Sequence, residues 1–238
     1  MKTLRICIFA LLLASIAFAE EGSQDKSHYF GGHFSFGLGY VWDNALVKGT
    51  FGSSKDGVKK ASLAGGPGLN LDVGASYWYR LNSNVGFVGE VEFWRGYITI
   101  DGEPYGLPPE DPYGDAEFFV LNVDRFAFPV MVRYFTSSRN YLEAGPQFNL
   151  NVNGSIDGKQ TDKSFDFDAE RFGWALVLGY GCTSISNGNG LIFGVRLVMD
   201  MSRLEKEGIV EIQKGAAYRE SSPMKLLSLQ FNATIYFL

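Results

Sequence analysis

Apolar and polar residues alternate with a period of two along a stretch in the second half of the chain. Between Tyr141 and Val152 the even-numbered positions carry apolar side chains, and the odd-numbered positions carry mostly polar or small ones. Successive side chains of a strand point to opposite faces of its sheet, whereas a helix would scatter this set around its axis. The pattern therefore predicts a β-strand with one apolar and one polar face.

The same alternation recurs in seven more segments, so that eight strands are predicted. The alternating segments are 33–42, 69–77, 85–93, 125–134, 141–152, 172–180, 191–200 and 227–237. Short connections alternate strictly with long polar ones: 82–84, 136–140 and 186–190 are short, and 43–66, 101–117, 154–170 and 202–223 are long. Short periplasmic turns and long outer loops are typical of outer-membrane barrels. We therefore predict an all-β fold, an eight-stranded antiparallel transmembrane up-and-down β-barrel.

The composition of the two faces favours a membrane barrel over a soluble one. Large residues occupy the apolar face almost throughout, whereas Gly, Ser, Asn and charged residues dominate the polar face. The interior of an eight-stranded barrel is just wide enough for side chains to fill it, so the small and polar face fits the lumen and the large apolar face suits lipid. The alternative is a soluble lipocalin-like barrel, whose apolar face points inward.

The beginning of the chain has the three parts of a secretory signal peptide. Lys2 and Arg5 form a basic region, an apolar run follows, and Ala17-Phe18-Ala19 is a small-x-small cleavage site. We predict a signal peptide at 1–19, a short periplasmic segment at 20–28 and the barrel domain at 29–238. After the signal there is no apolar stretch of the length that a membrane-spanning helix needs. An exported chain of this kind is either soluble or a barrel, and we predict the outer membrane of a Gram-negative cell.

One hairpin resembles the PorT-type outer-membrane β-barrel family. It consists of Phe126-Ala127-Phe128-Pro129-Val130-Met131-Val132-Arg133-Tyr134-Phe135, a short turn, and Tyr141-Leu142-Glu143-Ala144-Gly145-Pro146. The resemblance implies a small barrel along the whole mature chain and leaves the function open, because members of such families differ in what they do.

The same hairpin predicts local irregularities. Pro129 and Pro146 each remove a hydrogen-bond donor from the sheet and are expected at bulges. The apolar phase also changes within the strand, since Leu121 and Val123 are odd-numbered while the apolar positions from Phe126 onward are even. One extra residue near Asp124 would explain this change.

Charged residues on the polar face are predicted to meet inside the barrel. They are Asp72, Glu90, Glu92, Arg125, Arg133, Glu143 and Arg196. Charges buried in a narrow lumen must pair, so the favoured interpretation is a salt-bridge network that fills the barrel. The alternative is a proton or solute path, as in a narrow porin-like channel.

The second long connection, 101–117, is acidic and rich in proline and tyrosine. Its candidate contact residues for an extracellular or surface ligand are Tyr105, Glu110, Asp111, Tyr113 and Asp115. Carboxylates can bind Ca²⁺, but their spacing matches no known loop motif.

Aromatic residues near the predicted periplasmic strand ends are expected to form a girdle in the membrane interface. They are Tyr29, Phe30, Tyr79, Tyr134, Phe135, Tyr141, Tyr236 and Phe237.

The sequence offers no defensible catalytic constellation. His33 and Ser35 share a face, but no third member accompanies them, and Cys182 is the one cysteine after the signal. We predict no catalytic residue, cofactor or metal site.

The formal net charge of −5 argues against nucleic acid as a partner. The expected partners are outer-membrane lipid, the barrel-assembly machinery and a ligand of the outer loops. The favoured function is a structural or surface-interaction role, followed by a narrow channel and then by a lipid-modifying hydrolase.

Overall fold

The computed structural model describes ten stretches of the chain. They are residues 28–42, 47–54, 57–105, 118–137, 139–158, 164–166, 169–186, 189–204, 219–220 and 224–237. The predicted signal peptide lies outside them, as does the predicted periplasmic segment except for its last residue, His28. In the part of the chain that the structure describes, no helix has the length and hydrophobicity needed to cross a bilayer.

Eight long strands form the body of the molecule. They are β1 (His28–Trp42), β3 (Gly57–Arg80), β4 (Val85–Tyr105), β5 (Phe118–Phe135), β6 (Asn140–Gly158), β8 (Phe172–Ser186), β9 (Asn189–Asp200) and β11 (Lys225–Phe237). Three shorter strands lie in the long connections: β2 (Val47–Ser54), β7 (Ser164–Asp166) and β10 (Arg219–Glu220).

The eight long strands close into an antiparallel barrel. Each pairs with its neighbours in chain order, and β1 pairs with both β3 and β11, which joins the two ends of the sheet. The predicted eight-stranded all-β barrel is thus confirmed. The end with the short connections is called the turn end below, and the opposite end is called the loop end.

Several strands extend further toward the loop end than the alternation predicts. The strand β3 begins at Gly57 and forms a hairpin with β2, inside the predicted loop 43–66. Paired with it, β4 runs on to Tyr105, and β6 reaches Gly158 in its pairing with β5. Strands that project beyond lipid need no apolar outer face, so the period-two pattern fades there while the pairing continues.

The outward face of the barrel is apolar in a band nearest the turn end. On β4 this band runs outward from Val85 to Phe93 and on β5 from Tyr134 to Phe126, about the length that a tilted transmembrane strand needs. Large apolar side chains in the band are half exposed, for example Phe231 at 45% and Val130 at 52%. Arg95 and Asp124 face outward just above it and form an ion pair at 2.5 Å.

The predicted irregularity near Asp124 exists, but it lies in a different strand. The pairing of β5 with β6 shifts between Asp124 and Arg125, and the extra residue is Val152 of β6. The pairing of β5 with β4 keeps one register throughout. Leu121 and Val123 therefore point into the lumen, where they are buried, and the change of apolar phase marks a change in what fills the barrel.

The two prolines of the hairpin interrupt pairing without forming bulges. Pairs between β4 and β5 stop at Gly89–Val130 and resume in the same register at Glu92–Ala127, on either side of Pro129. Pairs between β5 and β6 likewise stop at Pro129–Gln147 and resume at Val132–Ala144, next to Pro146. A proline removes one hydrogen-bond donor but adds no residue to its strand, and the register is the same on both sides of each gap. The expectation of bulges at these positions was therefore wrong.

Candidate functional site

All seven charged residues predicted for the lumen point inward and are buried. Asp72, Glu90, Glu92, Arg125, Arg133, Glu143 and Arg196 are each at most 4% exposed. Six of them, without Arg125, form one cluster with His33, which we call the charged layer. Arg125 lies closer to the loop end with Asp200, and these two residues are called the upper pair.

Strand register builds one side of the charged layer. His33 of β1 is opposite Thr234 of β11 and Gly74 of β3, and Gly74 is opposite Glu92 of β4. A Cβ atom at Gly74 would overlap the carbonyl oxygen of Val91 in the neighbouring strand. The missing side chain also leaves room between His33 and Glu92, whose Nε2 and Oε1 atoms lie 3.3 Å apart.

A second glycine has the same part on the opposite side of the layer. Arg133 of β5 is opposite Glu143 of β6, Glu143 is opposite Gly179 of β8, and Gly179 is opposite Arg196 of β9. A Cβ atom at Gly179 would lie 2.7 Å from Cγ of Glu143. Without that Cβ, Glu143 can reach across its neighbouring strand to Arg196.

The two guanidinium groups of the charged layer are held by short ion pairs. Arg196 Nη1 lies 2.6 Å from Glu90 Oε2, and Arg196 Nε lies 2.6 Å from Glu143 Oε1. Arg133 Nη2 donates to the other oxygen of Glu143 at 2.8 Å. The Arg133 guanidinium also stacks over Tyr141, 4.4 Å from the ring centroid. Charge-assisted bonds with this geometry are the strong kind.

The carboxylates nearer β1 surround His33 instead. His33 Nε2 lies 3.3 Å from Asp72 Oδ1 and 3.3 Å from Glu92 Oε1. Neither of these two buried oxygens has a hydrogen-bond partner among the residues that the structure describes. The other ring nitrogen, Nδ1, is hydrogen-bonded to Thr234 Oγ1 at 2.9 Å. Ser35 donates its hydroxyl to Asp72 and not to His33, so the two residues do not form a nucleophile–base pair.

The charged layer carries more negative than positive charge. Asp72, Glu90, Glu92 and Glu143 are four carboxylates, and within the described residues of the layer they face two guanidinium groups, Arg133 and Arg196. With all six ionised and His33 neutral, two negative charges are uncompensated. A buried charge without a partner is strongly unfavourable, so the layer must take up protons or a cation.

The upper pair, in contrast, is balanced. Arg125 Nη1 lies 3.0 Å from Asp200 Oδ2, and its guanidinium stacks over Trp94, 4.1 Å from the ring centroid. The Asp200 carboxylate also accepts a hydrogen bond from Asn149 at 3.4 Å. One cation meets one anion here, beneath the apolar side chains of Ile98 and Leu121.

Aromatic side chains close the turn end of the lumen. Tyr29 stacks on Trp78 with 4.4 Å between ring centroids, and Trp78 contacts Phe135 at 5.5 Å and Tyr236 at 5.7 Å. We call these residues, with Tyr141, the aromatic plug.

The predicted girdle was therefore wrong for four of its members, because Tyr29, Phe135, Tyr141 and Tyr236 are buried inside. Phe30, Tyr134 and Phe237 do face outward.

Sequence reasoning missed three contributors to the lumen. His33 was considered only with Ser35 and not with the carboxylates, Asp200 was not included with its partner Arg125, and Trp78 was not recognised as part of a plug. Period-two parity places all three inside, so parity was the available signal.

The predicted loop contact residues Glu110, Asp111, Tyr113 and Asp115 lie outside the described residues, as does the side chain of Tyr105.

Comparisons with known proteins agree with the fold. The sequence pattern of a family described as "Outer membrane protein beta-barrel domain" matches residues 19–205. No curated protein matches the chain.

Several solved structures of outer-membrane proteins are similar to this chain at low identity. Neisserial surface protein A is 15% identical over 90% of this chain and 99% of its own, with a TM-score of 0.42. The attachment invasion locus protein Ail of Yersinia pestis, solved with the heparin analogue sucrose octasulfate, is 11% identical over 89% and 100%, with a TM-score of 0.40. OprG from Pseudomonas aeruginosa is 10% identical over 87% and 97%, with a TM-score of 0.38.

Proposed function

The chain belongs to the outer membrane protein β-barrel domain family, and on this premise we propose that it is a closed barrel with a structural or surface-interaction role. One observation carries the proposal: side chains occupy the lumen at three successive levels. The aromatic plug, the charged layer and the upper pair lie one above the other, and Trp78, Arg133 and Trp94 are each at most 1% exposed. A barrel filled in this way leaves function to the parts outside the lumen.

Single-channel conductance in a planar bilayer tests the filled lumen. Folding is first verified by a heat-dependent gel shift, and we expect the folded wild-type protein to give no current steps. Trp78→Ala should introduce leak currents, because it removes the centre of the aromatic plug. Trp174→Ala is the matched control, since Trp174 faces outward and is 46% exposed. Steady current steps from the wild type would contradict the proposal and support the narrow channel, with Glu90, Glu92 and Glu143 favouring cations.

We place the interaction surface on the outer loops, as the sequence predicts for Tyr105, Glu110, Asp111, Tyr113 and Asp115. The alternation of short and long connections supports this placement. It is tested on intact cells with a membrane-impermeant maleimide, in a Cys182→Ser background because Cys182 is exposed. Asp111→Cys should be labelled on intact cells. Ser83→Cys, at the turn end, should be labelled only after lysis, and the reverse labelling would contradict this orientation.

Two finer assignments complete the proposal. The sequence of the β5–β6 hairpin, with Pro129 and Pro146 and the Arg133-Tyr134 pair, supports a PorT-type subgroup. The three-part N-terminal pattern supports export through a signal peptide. N-terminal sequencing of protein from the outer-membrane fraction should begin at Glu20, and a start at Met1 would contradict cleavage.

A further inference from the structure

We propose that the charged layer binds one divalent first-row transition-metal ion through His33, Glu90 and Glu92. One nitrogen or oxygen atom from each of these three residues lies within 4.8 Å of the other two. All three residues are at most 4% exposed. An imidazole with two carboxylates is a donor set that suits zinc and its neighbours in the first transition row.

The spacing around His33 matches ligands arranged about a common centre. Metal–ligand bonds of about 2.0–2.1 Å in a tetrahedral site place neighbouring ligand atoms roughly 3.3 Å apart. His33 Nε2 and Glu92 Oε1 are separated by 3.3 Å. Glu92 Oε1 receives no hydrogen bond among the described residues, although Arg196 Nη1 lies 3.5 Å from it as an ion-pair partner. A buried acceptor left without a hydrogen bond is rare unless something else satisfies it.

Surrounding residues orient the ligands in the way that metal sites require. A ligating histidine donates its second ring N–H to a neighbouring acceptor, which fixes the tautomer. Here Nδ1 is hydrogen-bonded to Thr234 Oγ1 at 2.9 Å and lies 3.6 Å from Glu90 Oε1, while Nε2 faces Glu92 and Asp72. Ser76 donates to Glu90 Oε1 at 3.1 Å and Arg196 donates to both oxygens of Glu90, so these two residues orient the second ligand. Asp72 Oδ1, 3.3 Å from Nε2, supplies a further carboxylate beside the site.

The charge of the ion also fits the layer. The four carboxylates and two guanidinium groups leave two negative charges, and one divalent cation balances them. Among the described residues the upper pair has no such excess, since one guanidinium group, Arg125, is paired with one carboxylate, Asp200. This contrast provides a matched control inside the same lumen.

The test uses protein expressed from the complete gene in a Gram-negative host and extracted from membranes in mild detergent. Elemental analysis should find about one transition-metal ion per folded chain. Glu92→Gln should lower zinc affinity by at least about 100-fold, because it removes a ligand. Asp200→Asn should retain the wild-type metal content. Loss of the metal from Asp200→Asn with retention in Glu92→Gln would place the ion elsewhere and overturn the proposal.

A second measurement separates the metal from protons. The protein is unfolded in urea with a chelator and refolded in detergent with or without zinc. Zinc should raise the urea midpoint of the wild type and leave that of Glu92→Gln unchanged. Without metal, Glu92→Gln should be the more stable of the two, since it removes one uncompensated charge. If the wild type contains no metal and zinc does not move its midpoint, protons neutralise the layer and the proposal is wrong.

X-ray absorption of the zinc-loaded wild type is independent of whether any variant folds. One imidazole and otherwise oxygen ligands at about 2.0–2.2 Å are expected. A spectrum without imidazole would exclude His33 as a ligand and overturn the site.

Discussion

The charged layer and the upper pair are two solutions to the same problem, how to fill a narrow barrel with ionised side chains. The upper pair matches one guanidinium to one carboxylate and covers the guanidinium with Trp94. The charged layer links residues of six strands through Arg196 and His33, and among the described residues its four carboxylates exceed its two guanidinium groups by two charges when His33 is neutral. Filling a barrel therefore requires pairing, but it does not require an excess of carboxylates. The excess distinguishes a layer that can bind a cation from one that only packs.

The largest effect should come from removing the central cation of the charged layer. Arg196→Met leaves Glu90 and Glu143 buried with the positive charge between them lost, and we expect it to destabilise the fold by about 3–5 kcal/mol. Urea unfolding in detergent, followed by the heat-dependent gel shift, measures this. Arg139→Met, at an exposed turn, is the control and should change stability by less than about 0.5 kcal/mol. Equal stability of the two variants would mean that Arg196 does not organise the layer.

A smaller effect is expected from the upper pair. Asp200→Asn should cost about 3 kcal/mol, near the lower end for a broken buried pair, because Arg125 keeps its stacking on Trp94. The double variant Arg125→Met with Asp200→Leu should recover to within about 1 kcal/mol of the wild type, since an apolar pair can replace a balanced ion pair. Urea midpoints of the single and double variants decide this. A double variant no more stable than Asp200→Asn would show that the upper pair is not a simple filler.

The third prediction concerns the glycine that lets His33 and Glu92 approach each other. Gly74→Ala should destabilise by about 2 kcal/mol, because its Cβ overlaps the backbone of β4 and the strands must shift. Gly32→Ala is the matched control, since a Cβ there would meet nothing within 4 Å. The control should be neutral or slightly stabilising. Comparable losses in the two variants would mean that the close approach of β4 to Gly74 does not determine the cost of the substitution.

Parity along the chain was enough to predict the barrel and the direction of its charged residues. Glu90, Glu92 and Glu143 alternate with large apolar neighbours, and that alternation fixes which face they share. Parity also places Tyr29 and Tyr236 inside. They were assigned to the girdle because aromatic residues at strand ends suit the membrane interface as well as a plug.

The partners of each charge could not be predicted, because they depend on strand register and on the staggering of strands around the barrel. Glu90 and Arg196 are 106 positions apart, and only closure brings them within 2.6 Å. The inward direction of Leu121 and Val123 was missed for a related reason. Hydrophobicity does not distinguish lipid from an apolar level of the lumen, and the extra residue that changed the register lies in the partner strand, at Val152.

The smallest expected effect tests the hydrogen bond that orients His33. Thr234→Val keeps the shape of the side chain but removes the partner of Nδ1, so we expect a loss of about 1 kcal/mol in urea unfolding. If His33 ligates a metal, the same change should weaken zinc binding by roughly 10-fold, because the imidazole ring loses the hydrogen bond that holds its orientation. Thr183→Val is the matched control, since the Thr183 hydroxyl is buried and has no hydrogen-bond partner among the described residues. Removing an unpartnered hydroxyl should leave stability unchanged or raise it, and it should leave zinc affinity unaltered. Equal losses of stability in both variants would assign the effect to the packing of threonine. The orientation of His33 would then not contribute to the stability of the charged layer.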